Sequence, residues 1–283
     1  MNVAAALRAA AARLHHVGDT GALDASRLLE HVTGRDRAGL LLAADVPLDA
    51  DSRGTFEMLV ARRERGEPVA YIVGNAGFFG RTFIVDERVL VPRPESEHIV
   101  EAVIDDLRAR RKAAGTIVDV GTGSGALAIT LACELPELAV YATDISADAL
   151  RVARHNAALN GVFQQCTFVA GDLLAPIARF GERVDAVIAN LPYIPEQDLP
   201  VAPHPAGFEP RIALDGGPDG LDHYRRLLTQ LADIAAWDAA IFLEAAPGTI
   251  EPLAALVERT FPTAYIEIGE DYAGLERFVH FTR

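Results

Sequence analysis

The chain has 283 residues, half of them apolar, and sets 40 acidic against 26 basic side chains for a formal net charge of −14. That length supports one large domain with a smaller companion and a buried core, and the acidity counts against bare nucleic acid as the main partner, which calls for a basic face. No apolar run is long enough to cross a bilayer. The two cysteines, Cys133 and Cys166, allow neither a disulfide framework nor a metal spacing, so a cytoplasmic setting with no metal is expected.

The first 75 residues read as helices. The alanine-rich start carries Arg8 and Arg13 inside its apolar stretch, which favours an amphipathic helix over a signal peptide. Leu23, Leu28, Leu29 and Val32 recur at helical spacing, as do Leu40, Leu41 and Leu42 with Val46. Asp24 and Asp51 are candidate N-caps. The run Arg62-Arg63-Glu64-Arg65 is expected to be a solvated helix face, and so is the His15-His16 pair. Residues 76–94 change pattern: Gly77-Phe78-Phe79-Gly80, Phe83-Ile84-Val85 and Val89-Leu90-Val91 suggest a hairpin folded around Asp86-Glu87-Arg88. Pro92-Arg93-Pro94 closes it with an extended segment, and residues 95–111 predict a helix.

From residue 95 to 283 the chain alternates strands and helices. Strands are predicted at 116–120, 139–143, 166–170, 184–189 and 240–244, with a closing pair at 265–268 and 278–282. A helix over 147–160 is capped by Ser146 and stopped by Gly161. Alternation of this kind implies an α/β fold with a parallel sheet covered on both faces.

Polar residues gather where these strands end. Ile117-Val118-Asp119-Val120 runs into Gly121-Thr122-Gly123-Ser124-Gly125, whose glycines allow a tight turn and close approach of a ligand. The spacing departs from the dinucleotide fingerprint, and no Walker lysine follows. Asp144 ends the next strand at the interval expected of an acid that holds ribose hydroxyls. Asp172, followed by Leu173, ends the third and is placed to meet an adenine amino group. Asn190-Leu191-Pro192-Tyr193 follows the fourth. An asparagine oxygen, a nearby backbone carbonyl, a stiffening proline and a flat aromatic ring suit a planar NH2-bearing group held by acceptors. His204, in the loop beyond, is a candidate for the substrate mouth. Ser124 lacks a nucleophile-elbow context.

The three strand ends resemble those of class I S-adenosylmethionine-dependent methyltransferases; an NAD-binding domain is the structural rival. The Asn-Leu-Pro-Tyr stretch resembles the motif of amino-methyltransferases acting on glutamine amides, adenine N6 or cytosine N4, and Leu191 is familiar from ribosomal RNA adenine dimethyltransferases. Longer stretches narrow the choice. Glu67-Pro68-Val69-Ala70-Tyr71-Ile72-Val73-Gly74, Val89-Leu90-Val91-Pro92-Arg93-Pro94-Glu95-Ser96-Glu97, residues 209–221 and Asp271-Tyr272-Ala273-Gly274 are similar to the release-factor glutamine N5-methyltransferase family. The resemblance runs from near residue 20 to the end. It implies a Rossmann-like methyltransferase sheet, a helical docking domain over 1–75 and a hairpin linker over 76–94. It also implies S-adenosyl-L-methionine as cofactor and the glutamine of the Gly-Gly-Gln loop of peptide-chain release factors as substrate, with a monomer favoured and neither nucleic acid nor membrane as partner.

Under that resemblance Gly121, Thr122, Gly123, Ser124, Gly125, Asp144, Asp172, Leu173 and Asn190 hold the cofactor, and Asn190, Leu191, Pro192 and Tyr193 carry the chemistry. The family more usually has a second proline at position 191 and, in some members, a tryptophan at 173. Ribosomal RNA adenine methylation, or a cofactor-binding protein without turnover, is the alternative reading.

Overall fold

The computed structural model describes residues 1–179 and 184–282. It divides into two compact units, Met1–Asn75 with Pro200–Glu209, and Ala76–Leu199 with Pro210–Arg283.

The first unit is helical: α1 Val3–Leu14, α2 Gly21–Thr33, α3 Arg37–Leu42, α4 Ala50–Glu64 and α5 Val69–Val73. Its core joins Leu14, Leu28, Leu29, Leu40, Phe56 and Val60. α2 starts at Gly21, where a Cβ would lie 3.1 Å from the Ala11 carbonyl oxygen on α1. That early start changes two expectations. Asp24 is not a cap but lies inside α2, buried, with its Oδ2 accepting from Arg63 Nε at 2.7 Å. Arg63 is correspondingly not part of a solvated face; it is 6 % exposed, and its Nη1 donates to the Gly66 and Glu67 carbonyls. Asp51 is likewise displaced as a cap by Asp49, which accepts from the Ser52 amide at 2.8 Å. Of Leu40, Leu41, Leu42 and Val46 only Leu40 is buried; Leu42 is 91 % exposed, because consecutive residues on a helix project about 100° apart and do not share one face.

The second unit opens with the hairpin β1 Asn75–Phe78 and β2 Arg81–Ile84. Its turn is Phe79-Gly80, not Asp86-Glu87-Arg88, and residues 89–91 are not a strand. Both turn residues have positive φ, 50° and 70°, the requirement of a two-residue I′ loop. The strained Phe79 is held by its amide donating to Glu97 Oε1 at 2.7 Å. The hairpin is fastened to the larger unit by Asn156, which accepts from the Ile84 amide and donates to the Ile84 and Ser124 carbonyls.

There follow α6 Ser96–Ala109, β3 Thr116–Val120, α7 Ala126–Glu134, β4 Ala139–Asp144, α8 Ala147–Leu159, β5 Cys166–Ala170, α9 Ala175–Ala178, β6 Val184–Ala189, α10 Asp222–Ile234, β7 Ala235–Glu244, α11 Pro247–Thr260, β8 Tyr265–Glu270 and β9 Glu276–Thr282. The seven-stranded sheet runs β5-β4-β3-β6-β7-β9-β8. β9 is antiparallel to both of its neighbours, and the other pairings are parallel. Side chains alternate between two cores: Ile117, Ile188 and Phe242 face one, and Val118, Val187 and Ile241 face the other. Among the described residues no helix is long and apolar enough to cross a membrane.

A buried ion pair stripped of one partner leaves an uncompensated charge, at a cost of about 3–5 kcal/mol. Arg63→Met alone should therefore sharply lower hydrogen-exchange protection in α2 and α4, whereas Asp24→Leu combined with Arg63→Met should restore most of it.

Candidate active site

Parallel pairing sets Val120 level with Thr143 and Ala189, and Thr143 level with Val169. Four strands therefore release their chains at one edge. The order reverses between β3 and β6, which makes the crevice beyond their carboxyl ends the place where an open α/β sheet takes a ligand. A cleft of about 180 Å³ lies there, lined by Gly121, Gly123, Asp144, Asp172, Leu173, Asn190, Leu191 and Pro192. Most of the residues singled out from sequence are thus brought together. Val89, Leu90, Ile145 and Ile212 give the cleft an apolar wall, and His223 and Arg226 also reach it.

The glycine loop is fixed by its neighbours. Gly121 and Thr122 both donate backbone N–H to the Thr143 carbonyl at 2.9 Å. Gly121 has φ +74°, and a Cβ on it would lie 2.9 Å from Leu191 Cδ2. Leu191 is thus packed over the loop. Gly125 faces inward instead, where a Cβ would meet Ile129 Cδ1 at 2.7 Å. Thr122 and Ser124 are buried and line a second, smaller hollow together with Ser96 and Asn190.

Asp144 accepts from the Gly123 amide at 2.9 Å and the Ser146 amide at 2.8 Å, one on each oxygen. Desolvation nevertheless raises its pKa above the ordinary value, the two backbone donors working against that rise. Asp172 is ion-paired with Arg226, and Arg88 with Asp86, so both arginines of the cleft are tied to acids. An apolar wall, glycine backbone and strand-end carboxylates able to accept from hydroxyls fit S-adenosylmethionine, whose sulfonium is a cation.

Tyr193 is half-buried against the core beneath the sheet edge rather than in the cleft lining, and burial pushes its phenol up to about 12, with Glu244 adding to the rise. The segment 190–193 is clamped by residues 214–220. Ile194 donates to the Leu214 carbonyl and accepts from the Gly216 amide. A Cβ on Gly220, at φ +80°, would lie 2.3 Å from the Tyr193 carbonyl oxygen, and one on Gly216 would lie 2.8 Å from that of Pro192. The glycines of that motif thus let two backbones touch. His204 groups with the first unit and its Nδ1 accepts from the Ala206 amide at 3.2 Å.

Two buried acids were missed as site residues. Asp119 accepts from Thr122 Oγ1 at 2.6 Å and from the Ala128 amide at 3.1 Å, joining the loop to α7, while its Oδ1 has no partner among the described residues. Burial pushes its carboxyl up to about 7. Glu244, at the end of β7, is also pushed up to about 7 by burial. A charged residue inside an otherwise apolar strand, Ile117-Val118-Asp119-Val120, was the available signal for the first.

A carboxyl raised on folding stabilises most below its ordinary value of 3.8, and that contribution is lost as pH rises through about 7. The melting temperature of the native chain should therefore fall from pH 5.5 to pH 8. Asp119→Asn should flatten that fall in scanning calorimetry; an unchanged slope would contradict the burial argument.

The PrmC N-terminal domain family matches residues 5–74, and the methyltransferase small domain family matches residues 100–202. The release factor glutamine methyltransferase of Bacillus anthracis is 38% identical over 256 residues, covering 89% of each chain. That of Cereibacter sphaeroides is 37% identical over 281 residues, covering 99% of this chain and 98% of its own. Among solved structures, the N-terminal domain of human METTL16 in complex with SAH superposes with a TM-score of 0.51 at 18% identity, covering 72% of this chain and 76% of that one, a likeness of fold. The chain belongs to the release factor glutamine methyltransferase family.

Proposed function

We propose that this chain transfers a methyl group from S-adenosylmethionine to the side-chain amide nitrogen of the glutamine in the Gly-Gly-Gln loop of peptide-chain release factors. The observation that carries the reading is the placement of Asn190 and Leu191 on the same cleft as Gly121, Gly123 and Asp144. Gly121, Thr122, Gly123, Ser124, Gly125, Asp144, Asp172, Leu173 and Asn190 are the residues assigned to the cofactor, and Gly121, Gly123, Asp144, Asp172, Leu173 and Asn190 among them line the cleft. When bound, it supplies a methyl group on a sulfonium, an electrophile with a good leaving group.

An amide nitrogen is a poor nucleophile because its lone pair is delocalised into the carbonyl. The Asn190 carboxamide oxygen and the Leu191 carbonyl accept its two N–H bonds. That grip fixes the nitrogen in direction and supports the positive charge that grows on it. Tyr224 does not consume the Leu191 carbonyl: it carries one proton and stands 3.4 Å from that oxygen, while donating at closer range to the Glu244 carbonyl. Positioning of this kind lowers a barrier by roughly 7–11 kcal/mol, a large share of the ~8–23 kcal/mol typical of enzymes. Tyr193, which packs against the core outside the cleft lining, backs the turn, and the proton released from the methylated nitrogen goes to water.

The helical unit is the docking surface for the protein substrate. The net charge of −14 favours a protein over RNA as that substrate, and the chain works as a cytoplasmic monomer.

Purified chain, labelled cofactor and three acceptors test the reading: intact release factor, the factor with its loop glutamine changed to alanine, and ribosomal RNA. Label is expected in the intact factor only. Label in RNA, or none in any acceptor, overturns it. Asn190→Ala should abolish turnover and leave cofactor affinity within about a few-fold. Gly220→Ala, which must displace the Tyr193 carbonyl, should lower kcat by about tenfold or more at similar cofactor affinity.

A further inference from the structure

A hydrogen-bonded line of three side chains from three distant stretches of chain starts at Asn190 and Ser96, which line the second hollow, and ends on Glu244 behind them. Asn190 Nδ2 donates to Ser96 Oγ at 3.2 Å, and Ser96 Oγ donates to Glu244 Oε1 at 2.9 Å. Ser96 and Glu244 are 3 % and 5 % exposed, and Glu244 Oε2 has no partner among the described residues. We propose that Glu244, acting through the Ser96 hydroxyl, fixes which end of the Asn190 carboxamide faces the substrate, so that its oxygen and not its NH2 is presented. Both are positioning residues, and the proposal rests on the reading that Asn190 accepts from the substrate amide.

The argument is one of hydrogen-bond direction. An ionised carboxylate only accepts, so it claims the single proton of Ser96. The serine oxygen can then only accept, which selects the NH2 end of Asn190 and leaves Oδ1 for the cleft. Once Glu244 is protonated it can donate to Ser96, the serine proton is free to point at Asn190, and the carboxamide can turn over. An NH2 would then meet the NH2 of the substrate, donor against donor.

The switch falls within the working range of pH. Burial pushes the Glu244 carboxyl up to about 7; Glu95 adds to the rise, while Arg277 and Arg93 oppose it. The phenols of Tyr193 and Tyr224, from the strand-end turn and α10, also face Glu244, and both are raised by burial and stay neutral. Lowering the pH through about 7 therefore protonates Glu244 and releases the carboxamide.

The experiment compares the native chain with Ser96→Ala, Ser96→Thr and Glu244→Gln. The readouts are kcat, KM and cofactor Kd with release factor from pH 6 to 8.5, and the side-chain NH2 resonances of Asn190, assigned by their loss in Asn190→Asp. The native kcat should rise with pH through about 7, and Glu244→Gln should lose that slope. At pH 8, Ser96→Ala and Glu244→Gln should each lower kcat by roughly five- to tenfold, the value of one oriented hydrogen bond. Cofactor Kd should hold within about twofold, and Ser96→Thr, which keeps the hydroxyl, should recover most of the loss.

The Asn190 NH2 resonances should move with pH in the native chain and stay still in Glu244→Gln. A native pH profile in Glu244→Gln, or native kcat with unmoved NH2 resonances in Ser96→Ala, overturns the proposal. Should Glu244→Gln fail to fold, Ser96→Ala and the native resonances decide. Should the native chain not methylate release factor, the substrate reading fails, and the resonances still decide this proposal.

Discussion

The parallel pairing of β6 between β3 and β7 is the constraint on which the site depends. Ala186, Val187, Ile188 and Ala189 are matched to Ala240, Ile241, Phe242 and Leu243 on one side and to residues 117–120 on the other. One residue further along that register are Gly121, Asn190 and Glu244. The glycine loop, the carboxamide and the buried acid therefore share a level because three backbones hydrogen-bond in one register. A one-residue slip would also move each side chain to the opposite face of the sheet, exchanging Asn190 for Leu191 beside α6.

Period two then assigns the work. Even-numbered residues of β6 and β7, such as Ile188 and Phe242, face the core covered by α6 and α7. Asn190 and Glu244 continue those rows and reach Ser96 at the start of α6. Odd-numbered Leu191 joins the opposite core with Tyr224 and Leu243, so burial holds the leucine at a position where the resemblance leads one to expect proline. The second proline would stiffen the turn through its ring; Leu191 is held through burial, wedged on Gly121, and the clamp of residues 214–220 adds restraint from outside.

Much of this was legible in the chain. The five parallel strands and the closing pair were readable because continuous apolar runs bounded by glycine and polar residues have few other folded solutions. Their polar ends marked the cleft. Legibility failed where a long-range partner outweighed a local rule. Asp24 looks like a helix cap and Arg63 like part of a charged face, until a helix 39 residues away brings them together. Leu41 and Leu42 look like part of a buried run, but they directly follow Leu40 on α3 and so point away from the face that Leu40 buries. The apolar stretches on either side of Asp86-Glu87-Arg88 suggest a turn there, whereas the true turn places Phe79 at positive φ with help from Glu97. Nothing local announces that Ser96 will bond to a residue 148 positions later.

The buried acids close the argument about cost and use. Asp119 and Glu244 each retain an oxygen without a partner, a condition proteins ordinarily avoid because desolvation of a carboxylate is expensive. A glutamine at 244 would satisfy the Ser96 hydroxyl at lower cost. It would also let that hydroxyl point either way, since an amide both donates and accepts. A carboxylate removes one of the two directions, and that asymmetry passes along the line to the residue that must present an oxygen. At Asp119 the same asymmetry acts on a loop rather than a substrate: only an acceptor can hold the Thr122 hydroxyl and the Ala128 amide together. Both acids thus exchange some stability for a fixed direction of hydrogen bonding, Asp119 within β3 and Glu244 at the end of β7.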